Sequence, residues 1–249
     1  LDEVCKADKD DEATDVVGLQ ATSEEGCADE RFTRIKGSGK ARKTMDGRAE
    51  AGEPPFNLVA GTAWLWSRDD MERSVDVLFI DEAGQFSLAN AVAVAPAAPK
   101  LVLLGDPQQL NQPQKGIHPP GTEPSVLEHL AGEDGILGPG QGLFLRETWR
   151  MRPAITAYTS ELFYEGKLES RPDLAGQRIT LADGFTPEGL VLEAVEHEGN
   201  ARESEEEARA VVGIFRRLLA GGSTFTDRKG QTRPLEVGDL LVVAPYNAQ

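Results

Sequence analysis

Two apolar runs, separated by an alanine-rich stretch and each ending in acid, constrain this sequence more than any other feature. Residues 75–80 read Val-Asp-Val-Leu-Phe-Ile and run into Asp81-Glu82, and residues 100–105 read Lys-Leu-Val-Leu-Leu-Gly and run into Asp106. Near-continuous apolar runs of this length, rich in β-branched residues, suit strands buried in a parallel sheet. Residues 87–95 between them predict a short helix stopped by Pro96. A strand, helix, strand crossover makes the two strands parallel, so both end on the same sheet edge. The pattern therefore predicts that Asp81-Glu82 and residues 106–109 share one rim.

Around this unit the texture changes. Residues 1–55 are dense in Asp, Glu, Lys, Arg and Gly without sustained periodicity, which predicts a polar insertion or peripheral subdomain. Residues 57–60 form an apolar run ending at Gly61-Thr62. After a proline-rich loop (Pro113, Pro119, Pro120, Pro124) a short helix is expected over residues 125–130, and the glycine-rich stretch 132–142 marks a domain boundary near residue 138. Beyond it, strands are expected at 143–145, 190–195 and 239–244, and a helix from Pro153 to about Tyr164. A capping box of Ser204 with Glu207 opens a second helix, whose Ala208, Val211, Val212, Phe215, Leu218 and Leu219 fall on one face before Gly221-Gly222. The expected architecture is α/β, with 56–137 and 138–249 as two incomplete layers of sheet and helix.

The balance of 42 acidic against 26 basic residues gives a formal net charge of -16, which repels a phosphate backbone at long range. A net charge describes the average surface, and a groove can still be locally basic. Cys5 and Cys27 lack CxxC spacing, so neither a disulfide framework nor a zinc site is indicated, and His118, His129 and His197 are scattered without metal-ligand spacing. No window approaches the 18 or so apolar residues needed to cross a bilayer, and the first residues do not resemble a signal peptide. A cytoplasmic protein with no membrane partner is expected. The chain begins without Met and ends at Gln249 directly after an apolar run, which reads as a fragment.

An apolar strand ending in Asp-Glu is the Walker B pattern, in which the Asp holds magnesium and the Glu orients the attacking water. The alternative is a strand capped by two solvated carboxylates. Gly105-Asp106-Pro107-Gln108-Gln109-Leu110 follows the neighbouring strand, where Gly permits a tight turn and Pro stiffens it. A neutral amide there contacts a γ-phosphate and the attacking water without collapsing onto the metal, which singles out Gln109. Residues 34–41 offer a Gly-Lys pair, but Arg34 stands where a P-loop has its first Gly and Ala41 where it has its hydroxyl. This run reads as a basic surface loop able to touch phosphate.

The segments DEAGQ, GDPQQL, ETWRMRP with FYEGKL, and VVAPYNAQ resemble motifs II, III, IV and the start of V of superfamily 1 helicases. The resemblance covers about residues 56–249. It is closest to the branch holding the nonsense-mediated-decay helicases and the bacterial proteins in which a RecB-like nuclease precedes the helicase; QKGIHPPGTEPSVLEHL and LVAGTAWLW are especially similar to the latter. It implies a P-loop NTPase fold of tandem RecA-like domains with parallel sheets, both incomplete here, with ATP and Mg2+ as ligands. The implied partner is nucleic acid, favouring single-stranded DNA, with a possible nuclease domain in the same full-length chain. On matching positions, Asp81 would bind magnesium, Glu82 would be the general base, and Asp106 and Gln109 would line the nucleotide. Arg150 would reach the γ-phosphate from the second RecA-like domain, neutralising charge in the transition state; the alternative for Arg150 is an ion pair with Glu147. The family usually has His where this chain has Arg152.

Thr62 matches a position that contacts a nucleic-acid phosphate, and Pro245 and Tyr246 match a similar loop further on; a helix cap and ordinary packing are their alternatives. Trp64 and Trp66 would stack on bases or pack in the core. With no P-loop in these 249 residues, the isolated chain is expected to hydrolyse ATP negligibly. A non-catalytic nucleic-acid or protein binding module derived from such a motor is the second hypothesis.

Overall fold

The computed structural model describes residues 15–23, 25–109, 124–132 and 140–249, with Val4, Lys6 and Leu137. Cys5, Leu110, His118 and the loop prolines 113, 119 and 120 lie outside the described residues. The chain divides between Gln141 and Gly142, three to four residues beyond the boundary expected from the glycine-rich stretch.

In the first unit, β1 (Gly18–Thr22) pairs in parallel with β2 (Phe32–Lys36) on one side and β3 (Leu58–Ala60) on the other. Helix α1 (Ala41–Glu50) follows β2, and the one-turn helix α2 (Ala63–Trp66) follows β3. This corrects the reading of residues 1–55 as an insertion or peripheral subdomain. Two of the three strands come from that stretch, and its Leu19 and Ala41 are fully buried in one core with Leu65, Met71, Leu78, Val94 and Leu127. The stretch looks polar because β2 buries only Phe32 and leaves Thr33, Arg34 and Lys36 exposed. Burial of an aliphatic side chain such as Leu19 or Leu65 contributes about 1.5–3 kcal/mol.

The acid-tipped runs form β4 (Leu78–Ile80) and β5 (Leu101–Leu103), joined through α3 (Leu88–Val94) and paired in parallel with Leu78 opposite Leu101 and Ile80 opposite Leu103. The crossover reading is therefore borne out, but the expected burial is only partial: Phe79 and Leu101 are exposed, because no further strand among the described residues pairs with this two-stranded sheet. Ser87 caps α3 by accepting from Asn90 N, and Pro96 sits in the 3-10 turn that ends it. The next helix, α4 (Val126–Ala131), opens with a complete capping box. Ser125 Oγ accepts from Glu128 N at 3.1 Å, while Glu128 Oε2 accepts from Ser125 N at 2.7 Å.

In the second unit, β6 (Glu147–Thr148) lies parallel to β7 (Glu169–Ser170), with helix α5 (Pro153–Phe163) between them in sequence. Strand β8 (Arg178–Thr180) precedes helix α6 (Glu205–Leu218), and β9 (Thr224–Thr226) and β10 (Thr232–Pro234) complete an antiparallel sheet in the order β10-β9-β8. Residues 143–145, 190–195 and 239–244 are not strands, against expectation. Leu145, Leu192 and Leu241 are 75%, 93% and 86% exposed. An apolar run becomes a buried strand only when neighbours pair with its edges, and among the described residues no strand lies beside these runs.

The cap of α6 is half of the expected box: Ser204 Oγ accepts from Glu207 N at 3.2 Å, but Ser204 N donates to Gln249 Oε1 at 2.5 Å. The α6 stripe buries no residue; Val211, Val212, Phe215 and Leu219 line an open groove with Val242. No helix among the described residues is long and apolar enough to cross a membrane.

Candidate functional site

The ends of β4 and β5 are joined backbone to backbone. Leu104 N donates to Ile80 O and Ala83 N donates to Leu104 O, each at 2.8 Å, so the turn that follows β4 is stitched to the end of β5. Two glycines allow this approach. A Cβ on Gly84 would lie 2.3 Å from Asp106 O, and one on Gly105 would lie 2.8 Å from Ala83 N. Asp81, Glu82, Asp106 and Gln109 are thereby gathered along one rim, as the spacing predicts.

Within that rim each polar group has a defined setting. Asp81 is exposed, and its Oδ1 accepts from the backbone N of Glu82 at 3.0 Å. Glu82 is also exposed and adopts a left-handed conformation, with φ 53 and ψ 41. For a residue with a Cβ this costs on the order of 1 kcal/mol. Asp106, half-buried, organises its own turn: Oδ1 accepts from Gln108 N at 3.0 Å and Oδ2 from Gln109 Nε2 at 3.2 Å. Gln109 is thus folded back onto Asp106.

No group of three or more His, Cys, Asp or Glu residues able to hold a metal occurs among the described residues. Magnesium at a phosphate site requires less, since it keeps waters and phosphate oxygens and takes only one or two protein carboxylates. An exposed Asp81 at a strand end fits that requirement.

Arg150, in the second unit, lies on the turn between β6 and α5. Its side chain is exposed and forms no ion pair among the described residues, so the alternative pairing with Glu147 is not made. The backbone around it is held firmly. Arg150 N donates to Thr148 Oγ1 at 3.3 Å, and the Met151 carbonyl accepts from Ser170 Oγ at 2.7 Å and Thr156 Oγ1 at 3.1 Å. Trp149 is covered by the Arg171 guanidinium at 3.8 Å from the ring centroid, which Asp173 grips through two hydrogen bonds. These supports escaped sequence reading, because Ser, Thr and Arg at such separations carry no periodic signal.

Thr62 is exposed at the N-cap position of α2 and makes no side-chain cap bond. Trp66 is core, at 8% exposure, whereas Trp64 is 80% exposed. In the second unit, Pro245 is exposed and Tyr246 is about half exposed, and the Tyr246 carbonyl accepts from Gln249 N.

Strand ends carrying adjacent carboxylates beside a Gly-Asp-Pro-Gln turn thus lie on an α/β scaffold with parallel strands. A family model described as an AAA domain matches residues 122–249, and the chain belongs to that family. It is similar to the DNA-binding protein SMUBP-2 of Mesocricetus auratus, 29% identical over 195 residues that cover 72% of this chain and 18% of that protein. The probable helicase MAGATAMA 3 of Arabidopsis thaliana is 27% identical over 199 residues, 71% of this chain and 21% of that protein. The 5′-3′ DNA helicase ZGRF1 of Mus musculus is 33% identical over 99 residues, 37% of this chain and 5% of that protein. The chain is thus homologous to superfamily 1 helicases, and it spans about a fifth of the length of the first two of these relatives.

Proposed function

We propose that the chain supplies the metal, water and γ-phosphate side of an ATP-driven nucleic-acid motor. The observation that carries this reading is the stitched rim, where the Asp81-Glu82 turn and the Asp106–Gln109 turn are held together by the Ala83–Leu104 hydrogen bond and the Gly84–Asp106 approach. In this reading Asp81 holds magnesium, which when bound offsets phosphate charge. Glu82 orients a water and takes its proton as the water oxygen attacks the γ-phosphorus and the bond to the β-phosphate oxygen breaks. Gln109 leaves Asp106 to meet the γ-phosphate; as a neutral amide it serves phosphate and water alike. Arg150 adds a fixed positive charge where negative charge grows in the transition state. The hydrogen bonds on Thr148 and Met151 fix the backbone of this turn and leave the exposed guanidinium available to a phosphate.

Thr62 on one unit and Pro245-Tyr246 on the other are the strand contacts in this reading. Single-stranded DNA is the favoured track, given the DNA helicase and DNA-binding names among the relatives. The similarity of LVAGTAWLW and the 114–130 stretch to nuclease-helicase fusions makes a RecB-like nuclease in the same polypeptide, and a cytoplasmic setting, part of the same proposal. The test is ATP hydrolysis by the complete polypeptide that carries these residues. Magnesium-dependent turnover that rises on adding single strands supports the motor. Turnover indifferent to strands, or none, removes it. The isolated 249 residues should turn over negligibly.

A further inference from the structure

The fold neutralises the arginines that it draws out of water, with one exception. Among the described residues every other half-buried arginine lies against a carboxylate: Arg31 on Asp29, Arg42 on Asp46, Arg48 on Glu53, Arg68 on Asp70 and Arg171 on Asp173, each at 3.0 Å or less. Arg152 is half-buried too, and among these residues it has neither an ion pair nor a side-chain hydrogen bond. Its Nε is sealed from water and meets no acceptor. An arginine does not relieve such a setting by giving up its proton. A charge withdrawn from water without a partner weakens the fold, and an anion that arrives from outside explains why it is kept there.

The position of Arg152 says what kind of anion fits. It is the N-cap of α5, its side chain caps nothing, and Pro153 starts the helix. Its carbonyl is held by Thr156, which donates from its backbone N at 2.9 Å and from Oγ1 at 3.0 Å. The same hydroxyl also reaches the Met151 carbonyl, so the backbone between Arg150 and α5 is fixed. Consecutive Cα atoms are about 3.8 Å apart, so those of Arg150 and Arg152 are separated by no more than about 7.6 Å and both guanidinium groups can reach one ligand. From Thr148 to Ser160 the sequence holds no acid that could take either charge. A carboxylate is filled by one guanidinium, whereas a terminal phosphate has three acceptor oxygens and charge enough for two.

We propose that Arg152 is a second arginine for the terminal phosphate of a nucleoside triphosphate, and that it sets the preference for triphosphate over diphosphate. The site rests on the motor reading for taking ATP as its ligand. The two arginines divide the work. Arg150 is exposed and serves the charge that grows in the transition state, whereas Arg152 is already half-buried and binds the phosphate before reaction begins. Its loss therefore falls on affinity and not on the chemical step.

The test is Arg152→Met, read in two ways. Without ligand, the urea midpoint of the 249-residue variant should equal or exceed that of the parent, because the unneutralised charge is gone and an apolar stem remains. In the complete polypeptide, ATP affinity should fall on the order of 10- to 100-fold while ADP affinity and turnover at saturating ATP stay near the parent. Arg152→Lys, which keeps the charge, should recover most of the ATP affinity. A lowered urea midpoint would place the partner of Arg152 within the fold and overturn the proposal. Unchanged ATP affinity, or equal losses for ATP and ADP, would overturn it as well.

Failure of this site and failure of the motor read differently. Strand-stimulated turnover with ATP affinity indifferent to Arg152 keeps the motor and discards the residue. Without ATP turnover the motor falls, and the site is judged on inorganic tripolyphosphate alone. A urea midpoint that tripolyphosphate raises in the parent 249-residue chain and not in Arg152→Met keeps a phosphate site; equal responses remove it.

Discussion

Gly84→Ala is the sharpest perturbation of the rim. The added Cβ would sit 2.3 Å from Asp106 O and 3.1 Å from its carbonyl carbon, where ordinary contact begins near 3.4 Å. The obstructing atoms are backbone, so no rotamer change relieves them, and the turns after β4 and β5 must part by about 1 Å. Overpacking of this kind costs about 1–3 kcal/mol. The separation also strains the Ala83–Leu104 hydrogen bond and moves Asp81-Glu82 away from Asp106 and Gln109. Gly47→Ala is the matched control, since Gly47 lies within α1 with open space around its Cβ position, and alanine there should stabilise by about 0.5–1 kcal/mol. Urea unfolding of the two variants should therefore shift midpoints in opposite directions. A Gly84→Ala variant as stable as its parent would refute the claim that the two turns are pressed together.

Three further outcomes follow. Ser125→Ala removes the reciprocal cap of α4 and should cost about 1 kcal/mol in the same unfolding assay. In the complete polypeptide, Arg150→Lys should lower ATP turnover on the order of 10³-fold with little change in nucleotide affinity, because a single ammonium does not replace the planar, two-pronged guanidinium. The Asp239 carboxyl, held at about 2 against an ordinary 3.8 by two hydrogen bonds from Arg233 and one from Glu236 N, favours the folded state. A lowered value means that this contribution is fully present above about pH 4 and fades as pH falls through about 2. Asp239→Asn should accordingly reduce the stability difference between those two pH values, measured by urea unfolding.

The rim was legible in the sequence because its signals are local and of two independent kinds. A mostly apolar run specifies a strand, here partly buried with Phe79 and Leu101 exposed, and the acid or glycine that ends it marks the turn. The same logic misses β1 and β2: Gly18–Thr22 and Phe32–Lys36 are short and mixed, and they become strands through pairing, β1 with β2 on one side and β3 on the other, which no local pattern announces. It also overreaches at 190–195 and 239–244, where the apolar run is present and the pairing neighbours are not. At Arg150 the motif marks the side chain, while the supports from Thr156, Ser170 and Arg171 arise from contacts up to 21 residues away in sequence. Trp64 and Trp66, indistinguishable in sequence, are separated by burial alone.

In the proposed motor Glu82, exposed at the turn after β4, is the base for ATP hydrolysis. Its most direct test is Glu82→Gln in the complete polypeptide, with nucleotide binding and turnover measured side by side. The variant keeps the size and shape of the side chain and removes only its ability to take a proton. ATP affinity near that of the parent with turnover abolished is the predicted result; retained turnover would contradict it.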